Sequence, residues 1–267
     1  SHRVVTEMRA RLSGMLDRIP KGKLARNTVL ATGWMTARVA AQALWVVMIA
    51  RSIGPEGYGL FAGMAGLATT LGALTGLGFG VLMLQDASRD HAAFPVAWKR
   101  SLLLVVASGA VLWGIYQAIA PIVVGAHVGV LAYMAVGVPE LFCFPLTVIA
   151  SYAFQAHERM GWAGALYAFT SIGNILAAGA FLLFAPNRVL ASYLPFHALG
   201  SMVAAACALV SVYVLLAPKA APFSLSSRDI HEGIGFSLMR LVETGMTSLD
   251  KTLVLKLAGS EIAGIYS

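Results

Sequence analysis

Four charged side chains stand within an apolar segment that is long enough to cross a bilayer. Within residues 234–257, the charged side chains on one helical face are Arg240, Glu243, Asp250 and Lys251. At 100° per residue they fall within about 120° of one another. A charge at mid-bilayer costs about 2.5–3.5 kcal/mol, so such groups usually face a cavity or another helix. The stripe predicts either a polar cavity wall that contacts substrate or a salt-bridge network that only joins helices.

The first apolar run, residues 27–50, carries a further membrane charge with a polar neighbour on the same face. Arg38 stands at mid-run, and Gln42 lies one helical turn further on. Arginine offers a fork of five donors that binds phosphate bidentately and stays charged. The alternative for Arg38 is an ion pair with Glu140 or Asp250. The predicted substrate-binding residues are Arg38, Gln42, Arg240 and Lys251.

A carboxylate lies between two prolines in the fourth apolar run. Glu140 stands between Pro139 and Pro145 in the stretch VPELFCFP. Each proline removes a backbone donor and bends the helix, which frees carbonyls that can line a cavity. Glu140 is therefore either a proton or cation site or a structural partner of Arg38. The residues predicted to couple an ion or to pair charge are Glu140, Glu243 and Asp250.

The remaining polar residues of the apolar runs are expected to be structural. His197 follows Pro195 near one end of the sixth run, where a solvated histidine is expected. Asn174 in the fifth run is expected to form a hydrogen bond between helices. Cys143 and Cys207 both lie within apolar runs, which argues against a disulfide or a cysteine metal site. No metal and no cofactor are predicted.

The elements that carry these residues are predicted to be membrane helices. The 267-residue chain is 58% hydrophobic and 12% charged, with a mean hydropathy of +0.77, whereas soluble domains average about 25% charged residues. A spanning helix needs roughly 20 apolar residues. Seven such runs occupy residues 27–50, 58–84, 101–124, 128–154, 162–185, 192–217 and 234–257. This pattern predicts an all-α polytopic membrane protein, with an eighth span beginning at GIYS.

The basic residues predict the orientation of the chain. Thirteen of the 19 Lys and Arg residues fall in segments on the same side as the N-terminus, and three fall on the other side. Because cytoplasmic loops carry the excess of basic residues, the N-terminus is predicted to be cytoplasmic. Residues 1–26 are interpreted as a basic amphipathic segment on an anionic leaflet or as a disordered basic tail. The net charge of +7 therefore does not indicate nucleic-acid binding.

A short motif occurs twice along the chain. GPEGYGLF (residues 54–61) and GSEIAGIY (residues 259–266) both read G-[PS]-E-x-x-G-x-aromatic. Gly54 corresponds to Gly259 and Gly59 to Gly264, at a constant offset of 205 residues. Six predicted spans separate the two copies, an even number, so both copies face the same way. The motif therefore predicts two lobes related by a parallel repeat.

The repeat divides the chain into four predicted parts. Residues 1–26 form the basic cytoplasmic segment, and residues 27–217 form an N-terminal lobe of six helices. Residues 218–233 form a cytoplasmic linker between lobes. Residues 234–267 begin a second lobe, which we expect to continue in a longer protein of which this chain is the N-terminal portion.

Motifs of common enzymes are absent from the sequence. There is no GxSxG, no P-loop, no HExxH and no cluster of histidines and aspartates. The loops on the outer side hold only a handful of residues, too few for a catalytic domain. A transporter is therefore favoured over an enzyme.

Two stretches carry a resemblance to a known family. These are ARNTVLATGWMTARVAAQALWVVMIARSIGPEGYGLF, which runs through the first motif, and the ending LDK…AGSEIAGIYS. They resemble the Wzx-type lipid-linked oligosaccharide flippases, or polysaccharide biosynthesis proteins, of the MATE-like (MOP) transporter superfamily. The resemblance covers most of the chain from Asn27 onward. It implies two helical lobes around a cavity that opens alternately to each membrane face.

The resemblance also implies a substrate and a location. The substrate would be a polyprenyl-diphosphate-linked oligosaccharide, moved from the cytoplasmic to the periplasmic leaflet of a bacterial inner membrane for O-antigen, capsule or exopolysaccharide export. Arg38, Arg240 and Lys251 would meet the diphosphate or acidic sugars, and Glu243 and Asp250 would pair those cations or bind a coupling ion. The implied partners are this lipid-linked substrate, the bilayer, and the polysaccharide polymerase and chain-length machinery, with no nucleic acid.

Two alternatives remain open. A drug/cation antiporter or a peptidoglycan-precursor flippase of the same superfamily would need a carboxylate-rich, ion-coupled pocket, and Glu140 supports that reading. A membrane glycosyltransferase, polymerase or acyltransferase partner would need a large loop with acids or histidines, which this sequence does not contain.

Overall fold

Helices and short turns make up the architecture. The computed structural model describes residues 23–125 and 128–267, and within those ranges there is no β-strand. The predicted all-α fold class is confirmed. The predicted basic segment, residues 1–26, lies outside the described residues except for residues 23–26, which open the first helix.

The described helices run along the chain in the order of the predicted spans. A 3₁₀ turn (His91–Ala93) and a π-helical turn (Pro139–Cys143) interrupt the series of α-helices. The α-helices are α1 (Lys23–Gly72), α2 (Phe79–Arg89), α3 (Phe94–Val123), α4 (Val130–Val138), α5 (Phe144–Ala156), α6 (Met160–Phe184), α7 (Leu190–Leu215), α8 (Ser227–Ala258) and α9 (Ser260–Tyr266).

The long helix α1 contains two predicted spans and a sharp bend between them. At Gly54 the backbone has φ 76° and ψ 168°, a conformation open to glycine because it has no Cβ. Pro55 follows directly and starts the second arm, where its missing N–H costs nothing. The second arm ends at Gly72 rather than continuing to residue 84, because Gly76 and Gly78 take positive φ and form a turn before α2. The prediction of one unbroken span over 58–84 is therefore wrong.

Five described stretches are long and apolar enough to cross a membrane. They are Val29–Gly72, His91–Val123, Val130–Ala156, Met160–Phe184 and Leu190–Leu215. The first is 44 residues long, about twice the length that one crossing needs, as expected for two spans joined at the bend. Helix α8 has 32 residues but stays outside this set because its charges interrupt the apolar sequence.

Apolar side chains cover both the interior and the outer faces. One interior cluster includes Met64, Tyr116 and Phe181, and a second includes Trp98 and Phe154, all of them buried. On the outer faces, Leu131 is 81% exposed and Leu183 is 80% exposed. Large apolar side chains exposed along whole helices would be unfavourable in water but suit a hydrocarbon surrounding. The fold is that of a polytopic membrane protein.

The second arm of α1 packs closely against α8 and α9. A Cβ on Gly59 would overlap the carbonyl oxygen of Ser260, and a Cβ on Gly264 would overlap that of Pro55. Under the offset of 205 residues these two contacts exchange, since 59 becomes 264 and 55 becomes 260. Such reciprocal contacts are typical of a two-fold axis between equivalent units. The motif copies therefore touch each other in a symmetric way.

The bend that follows each helix is also the same in both motif copies. Gly259, between α8 and α9, has φ 90° and ψ 171°, close to the values of Gly54. Further along the interface, the hydroxyl of Thr252 donates to the carbonyl oxygen of Gly63 at 2.9 Å. These contacts hold α8 in a fixed register beside α1.

An arginine cluster joins three helices at the other end of α8. Arg100 of α3 donates from its Nη2 to Asp86 of α2 at 3.1 Å and from its Nη1 to Asp229 in the first turn of α8. The Arg100 side chain is 8% exposed, and its guanidinium also lies 5.1 Å from the centre of the Phe79 ring. The cluster ties the start of α8 to α2 and α3.

Candidate functional site

A cavity of about 720 Å³ lies between α1, the π-helical turn, α5, α6, α7 and α8. Its volume is in the range of small-molecule binding sites. It brings together residues that stand more than 200 positions apart in the chain. The sequence-predicted site residues that line it are Arg38, Gln42, Glu140, Arg240, Glu243 and Lys251.

Arg38 enters the cavity from the middle of the first arm of α1. Its guanidinium carbon lies 5.1 Å from the centre of the Tyr167 ring on α6, a cation–π contact. The side chain is half-buried, so part of it remains available to a ligand. The ring orients the guanidinium without neutralising its charge.

The polar stripe of α8 forms the opposite wall. Arg240, Glu243 and Lys251 line the cavity together with the hydroxyl residues Thr244 and Thr247. The apolar face of the same helix points away, since Met246 is 79% exposed. The stripe is the face that the helical spacing predicts.

Asp250 differs from the rest of the stripe, because it does not line the cavity. One of its carboxylate oxygens accepts from the backbone N–H of Lys251 at 2.8 Å. The other accepts from the hydroxyl of Tyr266 at 3.1 Å. Asp250 therefore joins α8 to α9, and its proposed coupling role has no support from the cavity geometry.

Glu140 reaches the cavity from the π-helical turn. The turn forms between the two prolines, and the N–H of Phe144 closes it by donating to the carbonyl oxygen of Pro139, five residues back. Such widened turns are frequent at functional sites. The Oε2 atom of Glu140 accepts from the hydroxyl of Thr69 on α1 at 2.9 Å. One hydrogen bond thus fixes the carboxylate at the cavity wall.

The charges of the cavity are not paired with one another. Arg100 forms ion pairs with Asp86 and Asp229, and none of these three residues lines the cavity. Arg38, Arg240 and Lys251 face two carboxylates, Glu140 and Glu243, without forming an ion pair with either. The three cations therefore line the cavity without a direct ion pair to another described residue.

The prediction that His197 is solvated is wrong. The expected solvated histidine is instead 2% exposed, and it packs between Trp45 and Phe61 while lining the cavity. The signal was the spacing of Tyr193, His197 and Ser201 on one face of α7, which marks an inward polar face.

Helix α6 contributes a similar face that the sequence reasoning only partly noted. Tyr167, Thr170, Ser171 and Asn174 repeat at three- and four-residue spacing, and all line the cavity. The Oδ1 atom of Asn174 has no hydrogen-bond partner among the described residues, so the expected bond to another helix is not formed by that atom.

Among the described residues, no group of three or more His, Cys, Asp or Glu side chains could hold a metal ion. Both cysteines are free, with Cys143 buried and Cys207 exposed. The arrangement offers hydrogen bonds, positive charge and aromatic surface to a ligand within the membrane.

The comparisons with known proteins agree with a membrane protein of polysaccharide synthesis. A sequence profile described as polysaccharide biosynthesis protein matches residues 24–267, nearly the whole chain. No curated protein and no solved structure matches the chain. The chain is a multi-pass membrane protein that belongs to the polysaccharide biosynthesis protein family.

Proposed function

We propose that this protein is a flippase for polyprenyl-diphosphate-linked oligosaccharide and not an enzyme. It would move the lipid-linked sugar from the cytoplasmic to the periplasmic leaflet of a bacterial inner membrane, for export of O-antigen, capsule or exopolysaccharide. The family supports a role in polysaccharide synthesis. The observation that carries the proposal is the set of three cations that line one cavity and form no direct ion pair with another described residue.

The physical argument concerns the diphosphate. A bare diphosphate cannot cross hydrocarbon, because its charge loses its hydration there. In a cavity of low dielectric, nearby cations recover much of that loss. Arg38 can form a bidentate pair with a phosphate, and Arg240 and Lys251 add charge from the facing wall. The lipid tail would remain in the bilayer.

The proposal includes a two-lobe protein with a cytoplasmic N-terminus. Residues 27–217 would form the first lobe, residues 218–233 the linker and residues 234–267 the start of the second lobe. The reciprocal contacts of the two motif copies support this division. The lobes would open the cavity to each membrane face in turn, and a polysaccharide polymerase and chain-length machinery would act on the exported unit.

The proposal is tested first by deleting the gene in its host. Lipid-linked oligosaccharide is measured by mass spectrometry, alongside surface polysaccharide. We expect surface polymer to be lost while its lipid-linked precursor persists. Unchanged polymer with no precursor build-up would contradict a flippase role.

Complementation then tests the cavity. We expect the gene carrying Arg38→Ala to insert normally in the membrane but to restore little export, because one of the three cations is lost. Arg51→Ala is the matched control, since Arg51 lies on the same helix, is exposed and does not line the cavity. Normal export by Arg38→Ala would remove Arg38 from the proposed site.

A second candidate function is a drug/cation antiporter, and one observation favours it. Glu140 lies in the cavity wall near aromatic side chains, a combination that can bind organic cations. On this alternative, the deletion strain becomes sensitive to cationic drugs, and Glu140→Gln fails to restore resistance. Loss of surface polymer with unchanged drug sensitivity would contradict the antiporter and support the flippase.

A further inference from the structure

One group of the cavity-lining residues is uncharged, and we call this group the neutral end. Trp45 stands seven residues beyond Arg38 on α1, about 10 Å along the helix axis. The residues of this neutral end are Gln42, Trp45, Asn174, His197 and Ser201, and all line the cavity. A ligand whose anionic group contacts Arg38 can extend its next groups toward them.

His197 is held by aromatic rings with one nitrogen left over. Its ring stacks on the Trp45 ring, with 6.1 Å between the centroids. It also makes a T-shaped contact with the Phe61 ring, with 5.1 Å between the centroids. The Nε2 atom is buried and has no hydrogen-bond partner among the described residues. A buried polar atom without a partner costs free energy, and His197 lines the cavity, so a ligand group that reaches Nε2 would relieve that cost.

The hydrogen bonds behind the ring indicate which nitrogen carries the proton. The Nε1–H of Trp45 donates to the hydroxyl oxygen of Tyr193 at 2.8 Å. That hydroxyl can therefore donate its own hydrogen onward, and Nδ1 of His197 lies 3.5 Å away. If Nδ1 accepts, the proton of a neutral imidazole resides on Nε2. His197 then offers an N–H donor at the cavity wall.

Asn174 supplies the matching acceptor. Its Oδ1 atom is also buried without a partner among the described residues. The backbones of α6 and α7 touch beside it, since a Cβ on Gly200 would lie 2.9 Å from the carbonyl oxygen of Gly173. The next residue on each helix, Asn174 on α6 and Ser201 on α7, lines the cavity.

We propose that the neutral end is a sugar subsite, in which His197 Nε2 donates to a sugar hydroxyl and Asn174 Oδ1 accepts from one. A hydroxyl both donates and accepts, so it satisfies both groups, and the Trp45 ring offers an apolar surface to the C–H face of the sugar. A hydrocarbon tail would satisfy neither polar atom. The inference rests on the proposed function, because it assumes that the diphosphate of the same ligand occupies the cationic region.

The test separates sugar binding from diphosphate binding. The purified protein in detergent is titrated calorimetrically with farnesyl diphosphate and with the same carrier bearing glucose, galactose or N-acetylglucosamine. We expect at least one glycosylated probe to bind about three- to tenfold more tightly than the bare diphosphate, the gain of one or two neutral hydrogen bonds.

The variants assign that gain to the two side chains. His197→Phe keeps an aromatic ring against Trp45 but removes Nε2, and Asn174→Leu removes the acceptor from a different helix. We expect each to abolish the advantage of the glycosylated probe while leaving affinity for bare farnesyl diphosphate unchanged, which also shows that the variant is folded. The matched control is His157→Phe, a histidine that packs against Phe94 and does not line the cavity.

Two outcomes would overturn the inference. If the wild-type protein binds bare and glycosylated probes equally, or if both variants keep the sugar advantage, the neutral end is not a sugar subsite, although the proposed function stands. If neither probe binds the wild-type protein, the proposed function fails and the subsite fails with it.

Discussion

Lys251 and Lys256 stand five residues apart on α8 and meet different surroundings. Lys251 is partly buried and lines the cavity. Lys256 is exposed, and its Nζ lies 3.5 Å from the carbonyl oxygen of Ile122 near the end of α3. One lysine therefore places its ammonium group at the cavity, and the other places it at the end of a neighbouring helix.

This pair gives a prediction with an internal control. We expect Lys251→Ala to weaken binding of farnesyl diphosphate about tenfold or more, since a charge-assisted hydrogen bond is lost. Lys256→Ala should leave affinity unchanged. The measurement is calorimetric titration of the purified variants. Equal affinities of the two variants for farnesyl diphosphate would mean that the diphosphate does not contact Lys251.

Neutral residues of the cavity show what a residue-by-residue reading misses. The burial of His197 depends on Trp45 and Phe61, which come more than 130 positions earlier in the chain. The local spacing of Tyr193, His197 and Ser201 indicates an inward face, but it does not identify the residues that cover it. Arg38 and Arg240 were predictable for the opposite reason, because a charge deep in an apolar run needs a cavity whatever its neighbours are.

At the scale of elements, the fit between α1 and the helices α8 and α9 depends on glycine. Gly59 and Gly264 allow the backbones of two helices to touch. A Cβ added to Gly114 on α3, in contrast, would meet no atom of a neighbouring element within 4 Å. The first two positions cannot gain a methyl group without moving a helix. The third can.

We predict opposite effects of one substitution at these positions. Gly59→Ala should destabilise the protein by about 1–3 kcal/mol, as overpacking does in a well-packed interior. Gly114→Ala should be neutral or slightly stabilising, because alanine favours the helix over glycine. Apparent melting temperature in detergent is the measurement. A Gly59→Ala protein as stable as wild type would contradict the close approach of the two motif copies.

The spans were predictable from the sequence to the extent that hydropathy controls them. The bend at Gly54 coincides with the predicted break, since Gly-Pro ends one helix and starts another. The end of α1 at Gly72 was missed because glycines are common within membrane helices and do not by themselves break one. The contact of Asp250 with Tyr266 could not be predicted from the sequence, because Tyr266 lies on the following helix.

At the scale of the whole molecule, Arg100 links the start of α8 to two helices of the first six predicted spans. Its two acceptors, Asp86 and Asp229, are 44% and 28% exposed, while the arginine itself is 8% exposed. The cluster is thus buried on one side and open to water on the other. It supports the end of α8 that is furthest from the motif contacts.

Removing this arginine should loosen α8. We predict that Arg100→Leu lowers stability by about 1–3 kcal/mol, less than for a fully buried pair because water can still reach both carboxylates. Arg89→Leu is the control, since Arg89 is exposed at the end of α2 and is not part of the cluster. Limited proteolysis between residues 217 and 226, the non-helical connection before α8, reports the loosening. Unchanged cleavage would argue that the cluster is dispensable.

The contact between the hydroxyl of Thr252 and the carbonyl of Gly63 joins residues 189 positions apart, and this separation has a consequence for biogenesis. A ribosome adds about 5–20 residues per second, so the first arm of α1 enters the membrane on the order of ten seconds or more before α8 exists. During that interval Arg38 is in the membrane without the polar face of α8 that lines the cavity in the folded protein. The nascent protein therefore passes through a stage in which a polar groove opens to lipid or to the insertion machinery. Slowed translation before residue 227 would lengthen that stage and increase degradation.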